Sequence, residues 1–214
     1  MCMSKCWIFD LDNTLHNATP HIFPHINRSM TAYLQEYLRL DEAAANALRM
    51  DYWQRYGATL SGLMKHHDTD PHHFLHHTHQ FPALQEMVLR QPRLRRTLQQ
   101  LPGQKIVFSN APLVYAQAVL KLLAVADLFD DVFAIERANF RPKPQRAGFL
   151  ALLREHHLLP GQCVMVEDSV DNLRTAKRLG MRTVWVSDAL RKPVFVDVKI
   201  KNITELPRNL MVLN

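Results

Sequence analysis

Cysteine is scarce in this chain, and runs of apolar residues are short. The three cysteines, Cys2, Cys6 and Cys163, are odd in number and scattered. That pattern excludes a disulfide framework and does not have the spacing of a zinc site. Cys6 and Cys163 lie in apolar stretches and read as small core residues. No apolar run reaches the roughly 20 residues of a membrane span, so no membrane association is expected. The opening Met1-Cys2-Met3-Ser4-Lys5 leads straight into a strand-like stretch and lacks the apolar region of a secretory signal. The expected location is the cytoplasm. There is no internal repeat, and no low-complexity tract apart from one histidine-rich stretch.

What is present is a chain of 214 residues, 47% hydrophobic. It is long enough for one large domain, or for a domain carrying an insert, and apolar enough to build a sizeable core. The formal net charge is +6. A positive balance suits an anionic partner, nucleic acid included, but the basic residues are dispersed except for Arg90, Arg93, Arg95 and Arg96. Those four read as the solvated face of a short helix. No nucleic-acid partner is expected, and the charge would help draw in an anionic small molecule.

The chain is organised around Ile8-Phe9-Asp10-Leu11-Asp12-Asn13-Thr14-Leu15. Cys6 to Phe9 reads as a strand buried on both faces. Asp10 then sits at the strand's carboxyl end, where open α/β sheets bind ligands. An extended backbone would point Asp10 and Asp12 apart, whereas a turn brings both into one pocket. Two carboxylates there repel unless a cation or a shared proton relieves them. A hard cation such as Mg²⁺ suits oxygen donors. One carboxylate can attack while the other handles protons.

Further along, residues 16–25, with Pro20 and Pro24, read as an irregular hinge. Ile26, Met30, Tyr33, Leu34, Tyr37 and Leu38 recur at helical spacing. Asp41 reads as the N-cap of a second helix that closes at Gly57. A third helix spans Thr59 to His67, and Asp70-Pro71 opens a fourth running to about His79. Residues 17–90 thus predict an all-helical block inserted into a core made of residues 1–16 and 91–214. A helix is expected from Arg93 to Leu101. From Lys105 onward strands and helices alternate. The expected strands are 105–108, 132–135, 163–166, 182–186 and 196–200, with helices from Pro112 to Leu123, after Pro144 to about His157, and from Asp171 to Leu179, then a short helix ending near Leu210. The fold class is α/β, a Rossmann-like parallel sheet with helices on both faces plus the helical insert.

Four strand ends or following loops carry polar residues: Asp10 and Asp12; Ser109 and Asn110; Lys143; and Glu167 and Asp168. A hydroxyl and an amide donate to phosphoryl oxygens, and a lysine supplies point charge. The distal carboxylates complete a cation site with Asp10. In this order the set resembles the haloacid dehalogenase-like superfamily, whose Asp-x-Asp-x-Thr, Ser/Thr, Lys and acidic-pair motifs correspond to Asp10-Leu11-Asp12-Asn13-Thr14, Ser109, Lys143 and Glu167-Asp168. The helical block matches the superfamily's cap. Asn13 stands where glycine is common, and Asn172 where many members carry a second aspartate.

The resemblance implies that Asp10 is a nucleophile forming an aspartyl-phosphate. It implies that Asp12 is the general acid and then the general base, its backbone carbonyl also binding Mg²⁺, and that Asp168 is a metal ligand. Ser109 and Lys143 would hold the phosphoryl group, with Asn110 assisting, and Glu167 would act on the metal from behind or through water. An acid at Asp12 separates phosphatases from dehalogenases, which have no alkoxide to protonate.

The stretch Tyr56-Gly57-Ala58-Thr59-Leu60-Ser61-Gly62-Leu63-Met64 resembles the cap of pyrimidine 5′-nucleotidase-like members, as do Phe9 to Leu15 and Glu167-Asp168-Ser169-Val170-Asp171-Asn172. Tyr56 either stacks on a base or packs as a helix-end core residue. The implied activity is Mg²⁺-dependent hydrolysis of a phosphomonoester, a nucleoside 5′-monophosphate, by a monomer or homodimer. The alternatives are a sugar-phosphate or phosphoglycolate phosphatase, a phosphomutase, or a binding protein on the same fold. His72 with His76, and His73 with His77, have helical metal-pair spacing, although a solvent-facing cap helix explains them as well.

Overall fold

Six short apolar runs pair into one sheet. They are β1 (Cys6–Phe9), β2 (Gln104–Phe108), β3 (Asp131–Phe133), β4 (Cys163–Glu167), β5 (Arg182–Val186) and β6 (Val198–Ile200). The structure is a computed structural model that describes residues 5–213. Cys2 and the segment before Lys5 lie outside the described residues. All pairings are parallel, in the order β3-β2-β1-β4-β5-β6. β1 is central, with Ile8 opposite Ile106 on one side and Met165 on the other. Cys6 stands opposite Cys163, and both are buried free thiols.

Side chains alternate along a strand, so each strand feeds two cores. Trp7, Phe9, Val107, Val164, Val166 and Val184 face one side. There they meet α6 (Leu94–Gln99) through Leu94 and Leu98, and α7 (Leu113–Leu122) through Tyr115, Ala116, Val119 and Leu120. Ile8, Ile106, Phe108, Met165 and Trp185 face the other side. They pack on α8 (Arg146–Glu155) and α9 (Val170–Arg178) through Phe149, Leu152, Leu173 and Ala176. With both faces covered, every strand can be apolar throughout.

Between β1 and α6 run α1 (Ile22–Leu38), α2 (Glu42–Tyr56), α3 (Thr59–His67), α4 (Pro71–Thr78) and the short α5 (Leu84–Met87). Local chemistry sets several of these ends. The Asp41 carboxylate accepts from Ala44 N at 2.8 Å, and Gly57 closes α2 at φ 79°. The Asp70 side chain accepts from His72 N at 2.9 Å ahead of Pro71.

Other boundaries differ from expectation. α1 begins at Ile22, so Pro24 falls in its first turn, where no intrahelical N–H bond is lost. The C-terminal helix is a 3₁₀ segment, Ile203–Asn209, with Pro207 inside it; proline removes the donor that an α-helix needs there. β6 begins at Val198 rather than Val196, whose N–H turns back onto Pro193 O instead of joining the ladder.

The histidines of the helical block are mostly exposed, yet many are paired with tyrosines. Tyr33 with His73, Tyr52 with His67, and Tyr56 with His66 lie at 2.9, 2.9 and 2.6 Å. Tyr37 meets His77 at 3.3 Å. These contacts tie α1 to α4 and α2 to α3. Arg90, Arg93, Arg95 and Arg96 are exposed, and Arg95 forks onto Asp127 at 2.7 and 2.6 Å.

Candidate active site at the carboxyl edge of the sheet

β1 hands its ladder on for one more residue, because Asp10 N donates to Val166 O at 3.0 Å. Immediately afterwards the chain turns: Thr14 N and Leu15 N both bond Leu11 O. The turn needs a left-handed residue at Asn13, φ 62°. Asparagine tolerates that region better than most non-glycine residues. Its Oδ1 is used as well, accepting from Ala18 N at 3.0 Å and Thr19 Oγ1 at 3.1 Å. The expected glycine is therefore replaced at little conformational cost.

Lys143 is the hub. It is 2% exposed, and its ammonium donates to Asp10 Oδ1 at 2.7 Å, Glu167 Oε2 at 2.8 Å and Phe108 O at 2.8 Å. All three of its N–H bonds are thereby used, which is what a buried ammonium requires. Burial works against the charge, but Asp10 and Glu167 more than offset it and hold the lysine above its ordinary range. Asn110 clamps the same residue by its backbone, donating to Lys143 O at 3.0 Å and accepting from Lys143 N at 2.8 Å. The Asn110 side chain thus fixes the loop that carries Lys143. Ser109 is buried, with Oγ accepting from Ala111 N at 3.0 Å, which leaves its proton to donate elsewhere.

Asp10 and Glu167 are each pushed up to about 7. Burial is the main cause for both; for Asp10 the Glu167 and Asp12 carboxylates add to it, and Lys143 pulls the other way. Glu167 is saturated: besides Lys143, Oε2 accepts from Asn172 Nδ2 at 2.9 Å and Oε1 from Ser169 N at 3.2 Å. Asn172, where an aspartate is usual in the resemblance, supplies a donor that a carboxylate would lack. Asp168 is half-buried and is raised first by burial. Its backbone is pinned by Trp185 Nε1, which donates to Asp168 O at 2.8 Å.

Among the described residues, one group of acidic, cysteine or histidine side chains is arranged to hold a metal ion. Asp10, Glu167 and Asp168 offer carboxylate oxygens within 4.8 Å of one another. All the donors are hard oxygens, and burial raises all three carboxyls above their ordinary range. Both facts suit a hard divalent cation. The histidine pairs of α4 form no such group among the described residues. His73 Nδ1 faces Tyr33, and His77 is turned to Tyr37 and to His73 O.

Asp12 is held differently. Its Oδ1 accepts from Tyr115 OH at 2.6 Å and meets His16 Nε2 at 2.8 Å. Both contacts use the same oxygen, which leaves Oδ2 without a hydrogen bond in the structure. Tyr115 and His16 were not singled out in the sequence. His16 lies four residues after Asp12, and Tyr115 sits in the first turn of the helix that follows Ser109. From the helical block, His79 meets Tyr115 edge-on with ring centroids 5.9 Å apart, and burial pulls it down to about 4.

Tyr56 is half-buried at the end of α2, bonded to His66 and overlain by Lys65 Nζ at 5.1 Å. The residue after it is in contact with the core: a Cβ built on Gly57 would lie 3.4 Å from Pro144 Cδ. The end of α2 therefore abuts the loop that presents Lys143. No helix among the described residues is long and apolar enough to cross a membrane.

The chain is similar to several known proteins. Phosphate metabolism protein 8 of Saccharomyces cerevisiae is 26% identical over 194 residues, 83% of this chain and 60% of the yeast protein. Hexitol phosphatase B of Escherichia coli is 32% identical over 102 residues, 46% of each chain. The chain thus spans between about half and three-fifths of the curated relatives it matches. The crystal structure of a phosphatase from Thermococcus onnurineus shares the fold, with a TM-score of 0.64 and 24% identity over 96% of this chain and 97% of that one. A family model matches residues 5–180, from β1 through the end of α9. By that match, the chain belongs to the haloacid dehalogenase-like hydrolase family.

Proposed function

We propose that the protein is a Mg²⁺-dependent phosphomonoesterase working through an aspartyl-phosphate, with nucleoside 5′-monophosphates, pyrimidine ones first, as substrates. The observation that carries the reading is the pair of differently prepared aspartates. Asp10 is held by a buried ammonium beside two further carboxylates, and Asp12 is anchored through one oxygen only.

Asp10 attacks phosphorus as the ester P–O bond breaks, and Asp12 passes a proton from its carboxyl to the departing oxygen. Asp12, now a carboxylate, takes a proton from water, whose oxygen attacks phosphorus. The acyl-phosphate P–O bond breaks, returning Asp10 and inorganic phosphate. Ser109 would donate to the phosphoryl oxygens, where charge spreads in the transition state, and Lys143, whose N–H groups are bonded to Asp10, Glu167 and Phe108 O, would offset that charge as a nearby cation. Asn110 holds Lys143 in place. Asp10, Asp168 and the Asp12 carbonyl would hold Mg²⁺, with Glu167 behind them; the ion supplies charge neutralisation at the phosphoryl group. A dehalogenase needs no proton donor for its leaving halide, so an anchored acid at Asp12 favours phosphoryl chemistry.

The nucleotide reading rests on the Tyr56–Met64 stretch and on the end of α2, where Gly57, next to Tyr56, adjoins the Lys143 loop. A second reading, a sugar-phosphate phosphatase, is favoured by the similarity to hexitol phosphatase B. In either case the enzyme acts in the cytoplasm on a small molecule, as a monomer or homodimer, without nucleic acid.

The test is phosphate release from UMP, CMP, dTMP, purine monophosphates, phosphoglycolate and hexose phosphates, with Mg²⁺ or chelator, and with Asp10→Asn as control. Preference for pyrimidine monophosphates, lost in the variant and with chelator, is expected. Turnover spread over sugar phosphates transfers the assignment to the second reading, and interconversion without phosphate release identifies a mutase. Full activity in Asp10→Asn would remove the nucleophile. Salt-sensitive RNA binding with no ester turned over would leave a binding protein.

A further inference from the structure

Tyr115 grips Asp12 from the core, and its ring is in turn held from the helical block. The residue is buried, in the first turn of α7. Burial first, then the Asp12 carboxylate, pushes its hydroxyl above the ordinary range, so it keeps its proton and donates. Among the described residues, two aromatic rings pack on that of Tyr115. Phe81 does so with centroids 5.1 Å apart and planes at 32°, and His79 meets it edge-on. Both separations are those of favourable aromatic pairs. Residues 79–81 join α4 to α5, so both rings belong to the helical block, whereas Tyr115 and Asp12 belong to the core.

Each of the two rings is itself fixed. Thr78 Oγ1 spends its single proton on Phe74 O, at 2.8 Å. In its 3.0 Å contact with His79 Nδ1 that hydroxyl can therefore only accept, so Nδ1 carries a proton and donates. His79 N also donates to Leu75 O at 3.1 Å. His79 is thus bound to the end of α4 by side chain and backbone. Phe81 packs against His25 of α1, with centroids 4.8 Å apart, and His25 Nε2 donates to Gln80 O at 2.6 Å. The contacts run without a break from α1 through His25, Phe81 and Tyr115 to Asp12.

The end of that run is its most sensitive point. A phenolic oxygen stands at the far end of its ring, so a tilt of the ring moves it more than any other atom. The bond from Tyr115 OH to Asp12 Oδ1 is 2.6 Å, and hydrogen bonds between oxygens weaken beyond about 3 Å. A ring that loses its neighbour on one face can tilt that far.

We propose that Phe81, with His79 beside it, is a positioning residue for Asp12: the two rings set Tyr115 from the helical block, and Tyr115 sets the proton donor. The proposal rests on the phosphatase reading, in which Asp12 protonates the leaving oxygen.

The experiment is steady-state kinetics of the full chain with Mg²⁺. The esters are UMP, phosphoglycolate and a hexose 6-phosphate, whose alkoxides need a proton, and p-nitrophenyl phosphate, whose phenolate does not. In Phe81→Ala, kcat for the alkyl esters should fall about tenfold, a part of the 10²- to 10⁴-fold worth of general acid catalysis. For p-nitrophenyl phosphate it should fall by less than about twofold, with KM unchanged for all. Phe81→Tyr, which keeps the ring, should restore the alkyl esters, and His79→Ala should show a smaller loss of the same kind. In a Tyr115→Phe chain, Phe81→Ala should cost nothing further, because the hydroxyl through which it acts is gone. If Phe81→Ala does not fold, Phe81→Leu, which keeps most of the volume without the flat ring, should show the same discrimination between esters. Equal losses on both kinds of ester, a change confined to KM, or full additivity with Tyr115→Phe overturns the proposal and leaves Phe81 a packing residue. Failure of the unaltered protein to release phosphate from any of these esters overturns the phosphatase reading, and this proposal with it.

Discussion

Tyr115 and Asp12 meet through a 2.6 Å hydrogen bond across 103 residues of sequence. His16 contacts the same oxygen, so the carboxyl is gripped on one side and open on the other. If Asp12 delivers the proton, Tyr115→Phe should slow turnover by roughly 10- to 100-fold, the worth of a hydrogen bond to a charged group. The loss should be larger for an alkyl phosphate than for p-nitrophenyl phosphate, whose leaving group needs no proton. Equal losses for both esters, or a shift confined to KM, would assign Tyr115 a packing role only.

Lys143 holds two buried carboxylates together. Lys143→Met removes the charge and all three hydrogen bonds while nearly keeping the volume. Turnover should fall below detection. Stability should fall by about 3–5 kcal/mol, as when one partner of a buried ion pair is removed. Urea unfolding measures this. Additional substitution of Glu167→Gln should recover part of the loss, because one stranded charge is then gone.

The metal-free protein should become less stable as pH rises. Folded, Asp10 and Glu167 keep their protons to about 7, while unfolded carboxyls release theirs near 4. Between those values the unfolded chain binds fewer protons, so these two groups lower stability with increasing pH. A divalent cation must displace those protons below pH 7. Thermal melting should therefore show a larger Mg²⁺-induced rise in Tm at pH 8 than at pH 6. An equal rise at both values would mean that the carboxyls are already ionised without metal.

At Gly62, α3 packs directly against Tyr52 of α2. A Cβ there would overlap the Tyr52 ring and stand 2.6 Å from Tyr52 Cβ. Despite alanine's better helix propensity, Gly62→Ala should destabilise the chain by about 1–3 kcal/mol through overpacking, seen as a lower Tm. Tyr52→Ala in the same chain should relieve the clash, giving a double variant more stable than the sum of the single losses. Simple additivity would contradict the contact.

The parts legible in sequence are those decided by near neighbours along the chain. Apolar runs marked the strands, because a parallel sheet covered on both faces demands them. Asp41, Gly57 and Asp70-Pro71 marked helix ends, because caps are made within one turn. Asp10, Ser109, Lys143, Glu167 and Asp168 could be placed on one edge, since each ends a strand or lies in the loop after one. The start of α1 was hidden because Pro24 looks like a breaker unless its place in the first turn is known. The histidines are mostly solvent-facing as read, but their tyrosine partners were not legible because these lie 10 to 40 residues away.

Residue order and chemistry alone thus determined an α/β chain with a helical insert and an acidic, lysine-bearing edge. The tertiary structure alone decided that Lys143 lies between Asp10 and Glu167 and that Asn110 secures its loop. It also decided that Asn172 serves Glu167 and that Tyr115 and His16 share one oxygen of Asp12. The reason is one of range. Strand and cap signals are written within a few residues, whereas burial, and the pairing of charges that burial compels, depend on which distant segments the sheet order brings side by side.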